Sequence, residues 1–200
     1  MTSTLVAILA AGESRRMGKP KLCLPWKETT VLGHLLEQWT KAGAEKILVI
    51  HPQEKTAPVI AELDRLKIPF GQRAATLAPE RGMMGSVVTA ASWATKDSSL
   101  THLIIALGDQ PHLRTETLRD LLDLCAASPG KIVRCVHNGK PGHPLALPAS
   151  LLPDLSQTSS ATLRDFLGLQ ERPVVDLTTS DSGILLDLDT PDDYAKASSL

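Results

Sequence analysis

Short continuous apolar runs punctuate the chain at residues 5–9 (LVAIL), 47–50 (ILVI), 103–107 (LIIAL) and, more weakly, 132–136 (IVRCV). Runs of this length without polar alternation are the pattern of strands covered on both faces. Helical patterns lie between them. In residues 30–43 the apolar positions Val31, Leu32, Leu35, Leu36, Trp39 and Ala42 fall on one stripe, and Gly43 is placed to end the helix. Val59, Ile60, Leu63 and Leu66 repeat that spacing, as do Leu118, Leu121, Leu122 and Cys125. Strands alternating with helices of this size predict an α/β fold, a mostly parallel sheet with helices on both faces.

Ligands of such sheets bind beyond the carboxyl ends of the strands. That rule selects the loop after Leu9, the loop after Leu107 and the end of a final strand expected at 184–188. Residues 139–180 read differently. Pro141, Pro144, Pro148 and Pro153 and the polar run SQTSSAT (156–162) suggest loops and short helices facing a substrate. A length of 200 residues with 42% hydrophobic content suits one well-buried domain. Its expected parts are a nucleotide-binding portion over about 1–112, an acceptor-facing portion over about 113–183, and a closing metal-binding motif at 184–194.

The 21 Lys and Arg against 22 Asp and Glu leave a formal net charge of −1, which gives no reason to expect a nucleic-acid surface. Charge is nevertheless concentrated in LAAGESRRMGKPK (9–21). Arg15, Arg16, Lys19 and Lys21 face only Glu13 there, a surplus suited to a small anion. Gly12 and Gly18 can bring backbone N–H groups close to phosphate oxygens. The spacing is neither a Walker A loop nor GxGxxG, and taken alone the stretch could be a surface loop that happens to be basic. Three cysteines without a CxxC spacing support neither a disulfide framework nor a zinc site. No apolar run spans a bilayer and no cationic region precedes the first one, so a cytoplasmic protein without membrane attachment is expected.

The order L-A-A-G-x-S-x-R-M-G-x-x-K, carried by Leu9, Ala10, Ala11, Gly12, Ser14, Arg16, Met17, Gly18 and Lys21, resembles the signature of the nucleotidyltransferases related to molybdenum cofactor guanylyl- and cytidylyltransferases. Gly82-Met83-Met84-Gly85-Ser86 resembles the same family's glycine and serine segment before a helix. Leu107-Gly108-Asp109-Gln110-Pro111 resembles its metal-binding strand end, Gly142-His143-Pro144 its GHP turn, and residues 187–193 (DLDTPDD) its closing motif. The departures are Ala78-Pro79, where many members carry an asparagine before proline, and residues 159–164 (SSATLR), where cofactor cytidylyltransferases have GDxGAR.

The resemblance implies a Rossmann-like three-layer sandwich of the nucleotide-diphospho-sugar transferase type. It also implies transfer of a nucleoside monophosphate to a phosphorylated small-molecule acceptor, molybdopterin or a relative, with release of pyrophosphate. LAAG is closer to the cytidylyltransferase form than to LAGG, so CTP is favoured and GTP is the alternative. Leu9, Ala10, Ala11, Gly12, Ser14, Gly18, Gly85 and Ser86 are then nucleotide-binding positions. Arg16 and Lys21 sit on the phosphates, and Asp109 and Asp189 hold Mg2+. Arg16, Lys21 and Asp109 are the catalytic candidates; Gln110, Pro111, His143 and Arg164 are candidate acceptor contacts. Arg15 and Lys19 read as solvated neighbours, and Asp187 as a neighbour without an assigned role.

Each reading has a rival in the residues themselves. GDQP also reads as a plain turn, and Ser86 as the N-cap of a helix over 87–95. If a strand ran through 184–189, Asp187 and Asp189 would share one side of it. Thr190-Pro191-Asp192-Asp193 reads as a helix start, making Asp192 and Asp193 structural. A sugar- or alcohol-phosphate nucleotidyltransferase and a non-catalytic nucleotide-binding maturation chaperone remain alternatives. A molybdoenzyme or maturation protein is the partner they suggest.

Overall fold

A computed structural model describes residues 3–12 and 14–198, apart from the side chain of Arg15. The expectation that Arg15 is a solvated neighbour concerns that side chain and so falls outside what is described. The apolar runs are strands: β1 (Ser3–Leu9), β4 (Lys46–His51), β6 (Leu100–Leu107) and β7 (Ile132–His137). With β5 (Arg73–Ala75), β8 (Lys140–Pro148) and β9 (Val174–Thr178) they make a seven-stranded sheet of order β5-β4-β1-β6-β8-β7-β9. Only β8 is antiparallel to its neighbours. A hairpin of β2 (Pro25–Trp26) and β3 (Thr29–Thr30) stands apart.

Alternation along the strands feeds two cores. Val6, Ile8, Ile104, Ala106, Val133 and Cys135 face a layer made by α1 (Val31–Ala42), α2 (Pro58–Arg65), α4 (Thr115–Ala127) and α7 (Pro191–Ala197). Leu5, Ala7, Leu48, Leu103, Ile105 and Leu147 face α3 (Met83–Ala94), α5 (Leu152–Gln157) and α6 (Leu163–Gly168) on the other side. The predicted three layers are therefore present. Local signals set the helix ends: Thr30 caps α1 by accepting from Gly33 N–H, and Gly43 closes it at φ 106°. Thr190 and Asp193 form a reciprocal capping box on α7. Cys125 and Cys135 are buried, and burial pushes their thiols up to about 12, so they behave as core residues. Among the described residues no helix is long and apolar enough to cross a membrane.

Three expectations are corrected. Residues 139–180 are not mainly loops, because β8 runs through the middle of the sheet. Its prolines sit where a ladder tolerates them. Pro148 ends the strand, Pro141 is its second residue, and Pro144 lies in a bulge where the partners of Arg134 and Cys135 jump from Leu145 to Gly142. Second, 184–189 is no strand: residues Ser182–Leu185 form a 3-10 turn, and the chain beyond makes no ladder, Leu188 N–H donating to the Asp109 carbonyl and Asp189 N–H to the Asp187 carbonyl. Third, Ser86 does not cap α3, which starts three residues earlier with Gly82 at the cap.

A Cβ on Gly85 would lie 1.9 Å from the Ala78 carbonyl oxygen, whereas nothing approaches one on Gly12 within 4 Å. Gly85→Ala should therefore lower stability by about 1–3 kcal/mol, read as a fall in Tm of several degrees, while Gly12→Ala leaves Tm nearly unchanged.

His102 is fully buried with Nε2 3.1 Å from the Lys131 carbonyl oxygen, and burial holds its pKa below the ordinary 6.5. The unfolded chain then takes up the proton first as pH falls, so the stability this site contributes is intact above 6.5 and is lost toward the lower folded value. Urea midpoints should fall between pH 7 and pH 5, and less steeply in His102→Gln.

Candidate active site

β1 is central, β4 lies on one side of it and β6 on the other, so the strand order reverses at the carboxyl ends of β1 and β6. A crevice is expected at such a point. There, Gly108 N–H donates to the Leu9 carbonyl (3.1 Å), and a Cβ on Gly108 would sit 2.6 Å from that oxygen. The absence of a side chain thus lets the two strand ends meet. A cleft of about 1320 Å³ opens beyond them, lined by the opening loop, by Asp109 and by Asp187 and Asp189.

The opening loop is tied down at several points. Ala10 N–H donates to the Ile50 carbonyl (2.7 Å), extending the β1 pairing by one residue. Ser14 and Gly18 take positive φ values of 52° and 63°, which reverses the chain twice. The Ser14 hydroxyl accepts from Lys21 N–H (3.2 Å), closing the loop on itself. Lys21 is thereby brought back to the cleft wall. Its ammonium lies 2.5 Å from Asp109 Oδ2 and 3.4 Å from Asp189 Oδ1, and Arg16 Nη2 lies 2.7 Å from Asp189 Oδ2. Lys21 is 13% exposed and Arg16 71%, so the lysine is the more buried member of the pair and the arginine stands at the exposed rim.

Asp187 completes a group of three carboxylates. Burial raises its pKa above the usual carboxylate range, and the negative charges of Asp109 and Asp189 raise it further. Gln110 anchors this segment. Its Nε2 lies 3.1 Å from Asp187 Oδ1, with the Leu186 and Ile184 carbonyls at 3.3 and 3.4 Å. Among the described residues no three His, Cys, Asp or Glu side chains are set to hold a metal by themselves. Asp109 and Asp189 nevertheless share one cation, the lysine, between them. Two carboxylates completed by phosphate oxygens and water are the usual donor set of Mg2+, and the residues present fit that ion in this way.

Leu9, Ala10, Ala11, Gly12, Ser14, Arg16, Gly18, Lys21, Ser86, Asp109 and Asp189 all line the cleft. Gly85 does not; its bare Cα accommodates the Ala78 carbonyl, so it shapes the wall from behind. Gln110 is 1% exposed and Pro111 is buried, and neither lines the cleft. His143 sits in the β8 bulge, largely buried and with a lowered pKa from desolvation, and Arg164 is exposed on α6; neither lines the cleft. Lys19 is exposed at the rim.

Gln53 and Thr76 are among the cleft residues that the sequence did not single out. Gln53 donates from Nε2 to the Thr76 carbonyl (2.8 Å), and Thr76 has a buried hydroxyl without a partner among the described residues. The rule about strand ends applies equally to the loops after β4 and β5 and would have selected both.

Because Lys21 separates two carboxylates in a partly buried setting, Lys21→Met should cost about 1–3 kcal/mol at pH 8, less than a fully buried pair would. Arg16→Ala, at an exposed pair, should cost at most about 1 kcal/mol. Urea denaturation of the two variants compares them directly.

The model of the MobA-like NTP transferase domain matches residues 6–174. The chain is 30% identical over 193 residues to the molybdenum cofactor cytidylyltransferase of Escherichia coli K12, covering 95% of this chain and 93% of that one. It is 28% identical over 194 residues to the nicotine blue oxidoreductase of Paenarthrobacter nicotinovorans, covering 92% and 90%. The crystal structure of Rv0371c from Mycobacterium tuberculosis H37Rv superposes with a TM-score of 0.79 at 25% identity, over 100% of this chain and 98% of that one. With the opening loop, the strand-end aspartate and the closing motif meeting at one cleft, the chain belongs to the MobA-like NTP transferase family, as a nucleotidyltransferase with the Rossmann-like sandwich of the nucleotide-diphospho-sugar transferases.

Proposed function

We propose that the protein transfers a nucleoside monophosphate, CMP before GMP, from the triphosphate to a phosphorylated small-molecule acceptor and releases pyrophosphate, with molybdopterin the first acceptor to test. The observation that carries this reading is the chain of contacts Asp109–Lys21–Asp189–Arg16 on the wall of the cleft. It is an electrostatic device with two fixed anions and two cations that can exchange partners. No nucleophilic side chain is needed. An acceptor phosphate oxygen bonds to the α-phosphorus while the bond to the bridging oxygen breaks, and the charge goes to the departing pyrophosphate.

Lys21 and Arg16 take up that charge, Lys21 as a point charge and Arg16 as a planar fork. Triphosphate oxygens draw the lysine ammonium away from Asp109 and Asp189, which frees both carboxylates. These two would hold Mg2+, whose chemical contribution when bound is positive charge beside the phosphates. The backbone of Ala10–Gly12 and the Ser86 hydroxyl lie on the same cleft and would contact base or ribose. Ala11 supports CTP, because the opening loop resembles the cytidylyltransferase form and a curated relative bears that activity in its name. Rv0371c has also been crystallised with manganese, in keeping with a divalent ion in this fold. A cytoplasmic location and a molybdoenzyme or maturation partner belong to the same reading.

Pyrophosphate release should appear with CTP and Mg2+ when molybdopterin or a sugar- or alcohol-phosphate is supplied, and should fall at least about 100-fold in both Asp109→Ala and Lys21→Ala. Turnover surviving both substitutions would contradict the assignment. Tight CTP binding without turnover on any acceptor would favour a nucleotide-binding chaperone, and electron transfer without pyrophosphate would place the chain beside its oxidoreductase relative.

A further inference from the structure

Asp109 and Asp189 do not depend on Lys21 for their positions. Leu188 N–H donates to the Asp109 carbonyl (3.1 Å), so the backbone joins the closing segment to the end of β6 immediately before Asp189. The Leu188 side chain is fully buried in the core below. From the other side the buried Gln110, next to Asp109, places its Nε2 3.3 Å from the Leu186 carbonyl and 3.1 Å from Asp187 Oδ1. The two carboxylates are therefore set side by side by main chain, core packing and an amide.

Lys21 enters this site from a third segment. Its main-chain N–H is held by the Ser14 hydroxyl, but among the described residues its ammonium bonds only to Asp109 Oδ2 (2.5 Å) and Asp189 Oδ1 (3.4 Å). Withdrawing the ammonium is then a swing of one side chain, which leaves the loop and the carboxylate frame intact. The lysine plugs a site that other contacts build.

We propose that Lys21 is a resident cation that keeps divalent ions out of the Asp109–Asp189 site until a nucleoside triphosphate draws it away, so that the nucleotide gates metal loading. An ammonium and a divalent ion a few Å apart repel strongly where water is partly excluded, and a free ion must expel the lysine before it binds. Triphosphate oxygens offer the ammonium new partners, which removes that opposition. By linkage the ion then favours the nucleotide as much as the nucleotide favours the ion. Arg16, exposed and on the other oxygen of Asp189, opposes the ion less. The gate rests on the proposed function only for the ligand that releases Lys21; exclusion of the ion requires no turnover.

Mn2+, which takes the same oxygen donors as Mg2+, is the probe, its binding to the full chain followed by electron paramagnetic resonance without nucleotide or acceptor. Lys21→Met should bind Mn2+ at least about tenfold more tightly than the unaltered chain, Arg16→Met should gain less, and Lys21→Met with Asp109→Asn should lose the gain. Lys19→Met makes the same charge change on the same cleft without touching either aspartate, and should leave the affinity unchanged. If Lys21→Met fails to fold, Lys21→Gln, whose amide can still donate to Asp109, carries the comparison. CTP should tighten Mn2+ binding in the unaltered chain. The proposal is overturned by Mn2+ affinity that does not rise in the Lys21 variants, by an equal rise in Lys19→Met, or by CTP that binds without tightening Mn2+. CTP that fails to bind at all contradicts the proposed function instead, and the Lys21 comparison still decides whether the lysine excludes the ion.

Discussion

Three carboxylates at the end of a buried sheet repel one another, and the candidate site depends on how that repulsion is contained. Asp109, Asp187 and Asp189 come from two distant stretches of chain, and water is partly excluded from their neighbourhood. Lys21 and Arg16 neutralise the outer pair, and the Gln110 amide holds Asp187 in place. In the proposed function a triphosphate takes over the two cations and a divalent ion the carboxylates. A loop held closed by a replaceable salt bridge is thereby poised for an anionic ligand.

The scaffold serves this arrangement through close backbone approaches. Gly108 lets β1 and β6 end side by side, and Gly142 lets the closing segment cross β8, where a Cβ would fall 2.2 Å from the Ile184 carbonyl oxygen. Both glycines fall within motifs that the sequence comparison treats as chemical. Their roles here are steric: they bring together the segments that carry charge.

The parallel strands β1, β4, β6 and β7 were legible because each is a short apolar run, whereas β5 (RAA) and β9 (VVDLT) are not and went unread; α1 was legible by its stripe and caps, α4 by its stripe, and α7 by its cap and first-turn proline. β8 was hidden by Pro141, Pro144 and Pro148, which argue against a central strand unless a bulge is foreseen. A signal was available in Asn138-Gly139, whose φ values of 50° and 75° make the tight β7–β8 turn. In the closing motif, period-two reasoning put Asp187 and Asp189 on one side of a strand. Both do reach the cleft, but through a 3-10 turn and an irregular segment held by Gln110 and by Leu188 N–H, contacts invisible without the tertiary structure. Gln110 was singled out because it sits in a motif; its hydrogen bonds to the closing segment, which the sequence did not reveal, anchor that segment.

The central claim is that Lys21 occupies the place between Asp109 and Asp189 only until phosphates arrive. A crystal structure with CTP and Mg2+ bound tests it most directly. The account predicts the triphosphate against Lys21 and Arg16, the lysine withdrawn from Asp109, and both aspartates facing the phosphates. A nucleotide seated elsewhere, with the Lys21–Asp109 pair intact, would contradict it.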